Sequence, residues 1–289
     1  MRYNKKTKMK YKIILFATAL YLTYGCNQSG EIPSYIAVDT IKVETDYDTQ
    51  GTASHNITDS WVFVNNKLVG MFEAPFQIPV LNSGKQTIVI EPGIRSSGSD
   101  SKREIYNVMQ SYTIDTVLKQ GEIITIQPKY RYKQANFVYL ENFDESSSLE
   151  VSKLDYSRQI DRIIGEGESF ESFSLCFWTD KDHPNFECKT INKYQLPKDR
   201  RDIYVEINFK CDNIFNFGFF SIENTGESKK SVYYFKPTNG QWKKVYINIK
   251  DHVMDTRATE FRFYFRSVLS DTNNEEKEKV FIDNIKVIY

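Results

Sequence analysis

Residues 202–210 read DIYVEINFK, with an apolar side chain at every second position. This alternation is typical of a β-strand that has one face in a hydrophobic core and the other face in water. The stretches KVYINI at 244–249 and FRFYFR at 261–266 have the same period. We therefore expect a β-sandwich whose wet faces carry the polar members of each alternation. In the first strand these are Tyr204, Glu206, Asn208 and Lys210.

The same period continues toward the N-terminus. The stretch SWVFV at 60–64 is followed by Asn65 and Asn66, a pair that tolerates positive φ and suits a tight hairpin. Residues 94–110 are polar and contain several Ser and Gly residues, which favours a mobile loop. The isoleucines within 160–164 depart from the β pattern, because their spacing fits a helical turn.

The chain is therefore predicted to be all-β, with two β-sandwich domains after a cleaved lipoprotein signal peptide. The first half, residues 35–133, carries short strands at the regular spacing of Ig-like sandwiches. The second half, residues 137–289, carries the long alternating strands. A polar join near 133–137 is the predicted boundary, and the two domains are expected to fold separately.

Both halves resemble known modules. The first resembles PEGA-like and related Ig-like modules in the stretches WVFVNNKLVG at 61–70 and SGKQTIVI at 83–90. That resemblance implies a spacer or an envelope-binding unit without catalysis. The second resembles the galactose-binding-like jelly rolls of many carbohydrate-binding modules in ENFD at 141–144, WKKVYINI at 242–249 and FIDNIKV at 281–287. That resemblance implies a jelly-roll fold and leaves the ligand open.

The N-terminus has the form of an export signal. Six basic residues precede an uncharged apolar run at 13–22, which is too short to span a bilayer of about 30 Å. The sequence LTYGC at 22–26 then resembles a lipobox, which implies that residues 1–25 are removed and Cys26 is lipidated. Residues 26–34 are predicted to be a lipidated tether. The alternative is ordinary secretory cleavage, with Cys26 unmodified.

This start implies a location in the cell envelope. The whole chain resembles a group of two-domain lipoproteins from Bacteroidetes-type bacteria. We therefore expect a lipid-anchored protein, held by thioether-linked palmitate-like chains in the outer membrane. Whether it faces the periplasm or the cell exterior stays open.

Charge and cysteine content narrow the partners. The chain has 38 Lys+Arg and 38 Asp+Glu, but six of the basic residues and none of the acids lie in 1–25. Removing that segment leaves a net charge of −6, which argues against a nucleic-acid partner. Cys176, Cys188 and Cys211 are predicted to be small buried hydrophobes, although one disulfide among them stays open.

The best candidate binding site is the stretch FWTDKDHPNF at 177–186, which combines aromatic rings with acidic, amide and imidazole groups. Aromatic faces can pack on sugars while the polar groups bind the hydroxyls. The alternative is that the aromatic residues belong to the core and the acids cap turns. The candidate ligand-binding residues are Trp178, Asp180, Asp182, His183 and Asn185.

A structural calcium ion is the one cofactor that the sequence suggests. In the jelly rolls that the second half resembles, the first and last strands are neighbours and often hold such an ion. Glu141, Asp144 and Asp283 could supply the oxygen ligands that Ca²⁺ requires. The alternative is that Asp283 and Asn284 form a β-bulge and satisfy local backbone groups.

Taken together, the sequence favours a non-catalytic envelope lipoprotein that binds a glycan or another surface polymer through the jelly roll. No recognisable catalytic spacing is present, and the three histidines lie far apart. One alternative is a structural or assembly lipoprotein that binds another envelope protein. A glycoside-active enzyme is the least favoured interpretation, because its pair of carboxylates is not identifiable from sequence.

The lipid anchor can be tested by metabolic labelling. A fatty-acid analogue fed to the expressing bacterium is expected to label the wild-type chain and to leave Cys26→Ser unlabelled. Equal labelling of both chains would show that Cys26 is not the anchor.

Overall fold

A computed structural model describes residues 30–98, 102–152, 168–224, 226–270 and 277–289, together with the backbone of 161–163. The structure is almost entirely β, as predicted. No helix in the described ranges is long and apolar enough to cross a membrane. The predicted signal peptide and Cys26 lie outside these ranges.

The described part of the first half contains ten strands and one helical turn. Its elements are β1 (Ser34–Val38), β2 (Lys42–Val43), α1 (Tyr47–Gln50), β3 (Asp59–Val64), β4 (Lys67–Glu73), β5 (Phe76–Val80), β6 (Gly84–Arg95), β7 (Arg103–Ile105), β8 (Tyr112–Leu118), β9 (Ile123–Ile126) and β10 (Lys129–Tyr130).

These strands form a small sandwich. One sheet has the order β4-β3-β6-β7, with β8 also paired to β6, and the facing sheet has the order β5-β1-β9. Apolar residues from both sheets, including Ile36, Val62 and Ile88, are buried between them. Asn65 and Asn66 have φ of 48° and 64° and join β3 to β4, so the predicted hairpin is confirmed.

The second half contains longer strands. Its described elements are β11 (Phe137–Glu141), β12 (Leu149–Val151), β13 (Asp161–Ile163), β14 (Ser174–Thr179), β15 (Asn185–Thr190), β16 (Tyr194–Gln195), β17 (Tyr204–Cys211), β18 (Phe215–Glu223), β19 (Gly226–Phe235), β20 (Lys243–Asn248), α2 (Lys250–Met254), β21 (Glu260–Val268) and β22 (Glu278–Ile288).

Two sheets pack face to face in this half. Sheet I has the order β13-β14-β22-β17-β20, with β11 also on β22, and sheet II has the order β12-β15-β21-β18-β19, with β16 also on β21. Phenylalanines dominate the core between them: the Phe215 and Phe235 rings stack at 4.1 Å, and Phe177 and Phe186 stack at 4.2 Å. The predicted second β-sandwich is confirmed.

The prediction of a wet face on β17 is wrong. Every residue of β17 is buried, and Tyr204, Glu206 and Asn208 are each at most 2% exposed. The reason is that the first half packs on the outer face of sheet I. Alternation along one strand does not show whether a distant part of the chain covers its polar face.

Two local predictions are also wrong. In the described part of 94–110, the chain is ordered against sheet I: Tyr106 is fully buried, and its ring lies 4.8 Å from that of Tyr204 and 5.0 Å from that of Tyr246. A mobile loop was expected because the segment is polar and contains several Ser and Gly residues, but its apolar residues pack against sheet I. Asp161–Ile163 pairs with β14 as a strand, where a helical turn was expected, because sheet pairing overrides a brief helical pattern.

A buried charge network lies where the halves meet. Glu206 accepts hydrogen bonds from Tyr106 Oη at 2.6 Å and Tyr132 Oη at 2.5 Å, both from the first half. Its other carboxylate oxygen lies 2.7 Å from Lys244 Nζ. Lys286, also in the second half, donates to the Thr52 carbonyl at 2.6 Å. All three charged groups thus belong to the second half, and the first half supplies hydrogen-bond partners to Glu206 and Lys286.

Burial and pairing set the protonation states of this network. Burial would raise the pKa of Glu206, but the ammonium groups of Lys244 and Lys286 and the hydrogen bonds to its carboxylate lower it to about 2. Burial lowers the pKa of Lys286 to about 8, although the nearby Glu206 opposes that shift. Glu206 is therefore ionised at neutral pH in the folded protein.

All named strand pairings join strands of the same half, and the boundary near 133–137 stays a prediction. Contacts across the join are nevertheless extensive, because Tyr106, Tyr130, Tyr204 and Tyr246 share one buried apolar cluster. Separate folding of residues 137–289 stays a prediction, since such a fragment would expose this face to water. Cys176, Cys188 and Cys211 are buried and unbridged.

We expect Glu206→Gln to destabilise the protein by about 3–5 kcal/mol, because it leaves the buried Lys244 ammonium without its counter-ion. Urea unfolding of the purified protein measures the loss. Asp199→Asn is the matched control: Asp199 pairs with Arg201, and their side chains are 52% and 50% exposed, so little or no loss is expected.

The pH dependence gives a second measurement of the same variant. The folded pKa of Glu206, about 2, lies below its ordinary value of 4.5, so its stabilising contribution is complete above pH 4.5 and is lost as the pH falls toward 2. Wild type should lose this contribution on acidification, whereas Glu206→Gln should not. Equal stability and equal pH profiles for the two proteins would contradict the role of the pair.

Candidate functional site

A cleft of about 780 Å³ opens between the two halves. It lies along the edge of the second sandwich, where β20 ends sheet I and β19 ends sheet II. Its lining combines aromatic, amide, hydroxyl and basic side chains. The lining residues that carry such groups are Ser54, His55, Asn56, Arg95, Ser97, Phe170, Asn208, Phe209, Tyr233, Tyr234, Lys236, Trp242, Lys243 and Lys244.

The first half forms one wall from two segments that hydrogen-bond to β20. Asn56 donates its backbone N–H to Tyr246 Oη at 2.9 Å and its side-chain amide to the Lys244 carbonyl at 3.2 Å. Ser97 donates its N–H to the Tyr246 carbonyl at 2.7 Å. These bonds tie both segments to the strand that carries the opposite wall, so the cleft has a defined width.

Trp242 forms the aromatic part of the opposite wall and is only partly buried. The Phe170 ring meets it edge-on at 5.4 Å, and the Lys210 ammonium lies 5.4 Å from its centroid. The same ammonium lies 4.4 Å from the centroid of Phe281. The indole is therefore fixed by several contacts while part of its surface stays open to the cleft.

The loop 236–242 places Trp242 at the mouth of the cleft as the chain crosses from β19 to β20. Thr238 is buried, accepts a hydrogen bond from Cys211 N–H at 3.1 Å, and donates its own N–H to the Cys211 carbonyl at 2.9 Å. Asn239 and Gly240 have φ of 54° and 74°, which turn the chain back. The loop is thus fastened to the end of β17.

Two tyrosines extend the aromatic surface along β19. Tyr233 is half-buried and donates its hydroxyl hydrogen to the Ser97 carbonyl at 3.2 Å, so it bridges the two walls. Tyr234 is 61% exposed. An exposed ring of this size next to a cleft offers apolar surface to a ligand.

The floor of the cleft is polar. Asn208 and Ser54 contact each other through the Asn208 Nδ2 and Ser54 Oγ atoms at 3.1 Å. His55 accepts a hydrogen bond from Ile57 N–H at Nδ1, and burial together with the Lys244 charge lowers its pKa. His55 is therefore neutral at pH 7. Arg95 pairs with Glu73 at 2.6 Å.

The loop predicted as a binding site is a closed turn at another place on the second half. Asp180 accepts a hydrogen bond from His183 N–H at 2.8 Å and lies 3.0 Å from His183 Nδ1. Trp178 is half-buried under the Lys277 ammonium at 4.5 Å, and Asp182 is exposed. Asn185 begins β15. The turn brings these residues together, but none of them lines the cleft.

The predicted calcium ligands do not converge. Glu141 accepts from Phe143 N–H at 2.9 Å and Ser148 N–H at 2.7 Å, so it organises the loop that follows β11. Asp144 accepts from Tyr47 Oη at 2.6 Å. No group of three or more acidic, His or Cys side chains suited to a metal occurs in the described ranges. Calcium binding stays a prediction.

Asp283 lies in a β-bulge, the alternative that the sequence left open. The register between β17 and β22 shifts between Glu206 and Asn208, and Asn284 has φ of 50°. Asp283 accepts from Ser174 Oγ at 2.6 Å and from Asn284 N–H at 2.7 Å. Burial raises its pKa to about 7, although both hydrogen bonds oppose the shift.

Sequence reasoning missed the residues of the cleft. Trp242 was noted only for its place in a strand, and Phe170, Tyr234 and Lys236 were not singled out. One signal was available: the loop KPTNGQW at 236–242 places a Trp and a Lys at the two ends of a Pro- and Gly-containing turn. What the sequence did not reveal is that segments near 55 and 97 complete the site.

No protein-family model and no curated protein matches the sequence. Among solved structures, the CBM22-2 xylan-binding domain from Paenibacillus barcinonensis is similar over 52% of this chain and 98% of its own, at 11% identity and a TM-score of 0.37. The tandem CBM22-1–CBM22-2 domain from the same organism covers 80% of this chain and 73% of its own, at 10% identity and a TM-score of 0.38.

A carbohydrate-binding module specific for non-crystalline cellulose, CBM28, is similar over 53% of this chain and 94% of its own, at 14% identity and a TM-score of 0.38. At identities and TM-scores this low, the similarity assigns no ligand and no activity to this chain. The chemistry of the cleft therefore has to come from its own residues.

We expect Asp283→Asn to raise the stability of the protein at pH 8 and to leave it nearly unchanged at pH 4. The folded pKa of about 7 lies above the ordinary value of 3.8, so the contribution of Asp283 is complete below pH 3.8 and is lost as the pH rises through 7. Thermal unfolding at the two pH values measures the difference, and a melting shift of several degrees is expected at pH 8.

Adding calcium to this measurement tests whether Asp283 binds a metal ion. If Asp283 helps to hold Ca²⁺, excess calcium should raise the melting temperature of wild type at pH 8, and Asp283→Asn should lose that response. A wild type that melts at the same temperature in calcium and in chelator would remove the metal hypothesis and leave the bulge.

Proposed function

We propose that this protein binds a glycan in the cleft between its two halves. The observation that carries the proposal is the partly open Trp242 ring, fixed at the mouth of a cleft whose floor offers amide and hydroxyl groups. A sugar ring has apolar C–H faces and a rim of hydroxyls. Aromatic side chains match the faces, and a few placed polar groups match the rim.

The volume of the cleft suits this ligand class. At about 780 Å³ it lies within the range of ligand pockets, roughly 300–1,000 Å³, and it is open along one side. An open cleft admits the interior of a polymer, whereas an enclosed cavity admits only a free small molecule. Tyr234, which is 61% exposed, also lines the cleft and offers a second aromatic ring to a chain of several sugars.

The proposal is binding without catalysis. Glycoside hydrolysis commonly uses two Asp or Glu residues that flank the scissile bond. The lining residues of the cleft in the described ranges include neither Asp nor Glu. The imidazole of His55, neutral at pH 7, accepts a hydrogen bond from Ile57 N–H.

We further propose that the protein is a lipoprotein of the cell envelope, anchored through Cys26 in the outer membrane. The support is the basic N-terminus, the short apolar run and the lipobox-like LTYGC at 22–26. In this arrangement the first half holds the second half away from the membrane and also supplies one wall of the cleft.

We expect Trp242→Ala to weaken glycan binding at least about tenfold, because a central aromatic contact typically contributes about 2 kcal/mol or more. A glycan array screened with the purified protein identifies a ligand, and isothermal titration calorimetry with that ligand then measures the variants. The matched control is Trp178→Ala, which removes a half-buried indole outside the cleft and should leave binding unchanged.

The opposite result would assign glycan binding to a different site. Loss of binding in Trp178→Ala with retention in Trp242→Ala would place the ligand on the turn that contains Asp180 and His183. If no glycan on the array binds, glycan binding is wrong, and a pull-down from envelope extract then tests the alternative of an assembly lipoprotein.

A further inference from the structure

We propose that the cleft is selective for acidic glycans, those whose sugars carry carboxylate or sulfate groups. This inference rests on the proposed function and names the ligand class that it leaves open. It comes from the distribution of charge around the cleft.

The cleft is basic in a protein that is otherwise acidic. Its lining includes Arg95, Lys236, Lys243 and Lys244, and in the described ranges it includes no Asp or Glu. Residues 26–289 as a whole carry a net charge of −6. A basic cleft on an acidic body concentrates the positive potential at one place and draws anionic ligands there.

These four basic side chains differ in whether they already form an ion pair within the protein. Lys244 is buried and lies 2.7 Å from Glu206, and Arg95 pairs with Glu73. Lys236 and Lys243 are exposed, and neither forms an ion pair with any residue in the described part of the chain. These two ammonium groups are therefore the ones available to a ligand.

Both lysines line the same cleft as Trp242. Lys236 begins the loop 236–242, Lys243 directly follows Trp242, and Thr238 hydrogen-bonds the loop to Cys211. A carboxylate or sulfate on a sugar bound at Trp242 therefore shares the cleft with two exposed ammonium groups.

The expected gain is moderate and depends on salt. Exposed ion pairs contribute little individually, so two such contacts should favour an acidic glycan over its neutral counterpart by roughly tenfold. Salt screens interactions between exposed charges, because the Debye length falls to a few ångströms near 1 M. The preference should therefore shrink at high ionic strength, while binding through Trp242 should persist.

The test is a glycan array on which each acidic glycan stands beside its neutral form, made by carboxyl reduction or desulfation. The purified protein is expected to bind the acidic member of a pair about tenfold more tightly at low salt, and this ratio should fall toward one at about 0.5 M NaCl. Uronate and sulfate arms show which anion is preferred.

Variants connect the preference to the two lysines. Lys236→Gln combined with Lys243→Gln should remove the preference for the acidic member of each pair. Lys67→Gln combined with Lys85→Gln removes the same charge from exposed positions in the first half and should keep it. If the preference persists without Lys236 and Lys243, or falls equally in both double variants, the inference is wrong.

The two proposals fail in different ways. If neutral and acidic members bind equally and Trp242→Ala abolishes both, acidic selectivity is overturned and glycan binding in the cleft stands. If no member of any pair binds, the proposed function is overturned, and this inference falls with it.

Discussion

The burial of Glu206 is the constraint on which the arrangement of the two halves depends. A carboxylate taken out of water needs counter-ions and hydrogen-bond donors in good geometry, or the folded state is strongly destabilised. Lys244 and Lys286 supply the charge from the second half, and Tyr106 and Tyr132 supply hydroxyl groups from the first. Because donors from both halves meet at this one carboxylate, the network joins the halves where they dock.

The cleft is a consequence of that docking. Along the outward row of β17, Tyr204 is covered by the apolar cluster, Glu206 by the charge network and Asn208 by Ser54, while Lys210 lies under Trp242. The cover thus changes from apolar to ionic to polar toward the C-terminal end of β17. The cleft opens beside that end, between segments of the first half and the loop 236–242.

Features set by neighbouring residues were predictable from the sequence, and features set by docking were not. The hairpin at Asn65 and Asn66 depends on two residues that accept positive φ, and it was predicted. The strand at 204–211 and its core-facing residues depend on the local alternation, and they were predicted as well. The burial of Glu206 depends on Tyr106, one hundred positions earlier, and Trp242 becomes part of a site only because segments near 55 and 97 lie opposite. The turn at Asp180 was predicted to be the binding site because its aromatic and polar side chains are close together in the sequence. In the structure, Asp180 and His183 contact each other.

The hydrogen bonds that join the walls of the cleft also determine how the molecule would carry tension. Ser97 and Asn56 donate hydrogen bonds to two carbonyls of β20, those of Tyr246 and Lys244. A ligand that contacts both walls and is pulled would load these bonds in parallel with the covalent connection at 133–137. Part of the force would then enter the first half beside the ligand, and the connecting segment would not carry all of it.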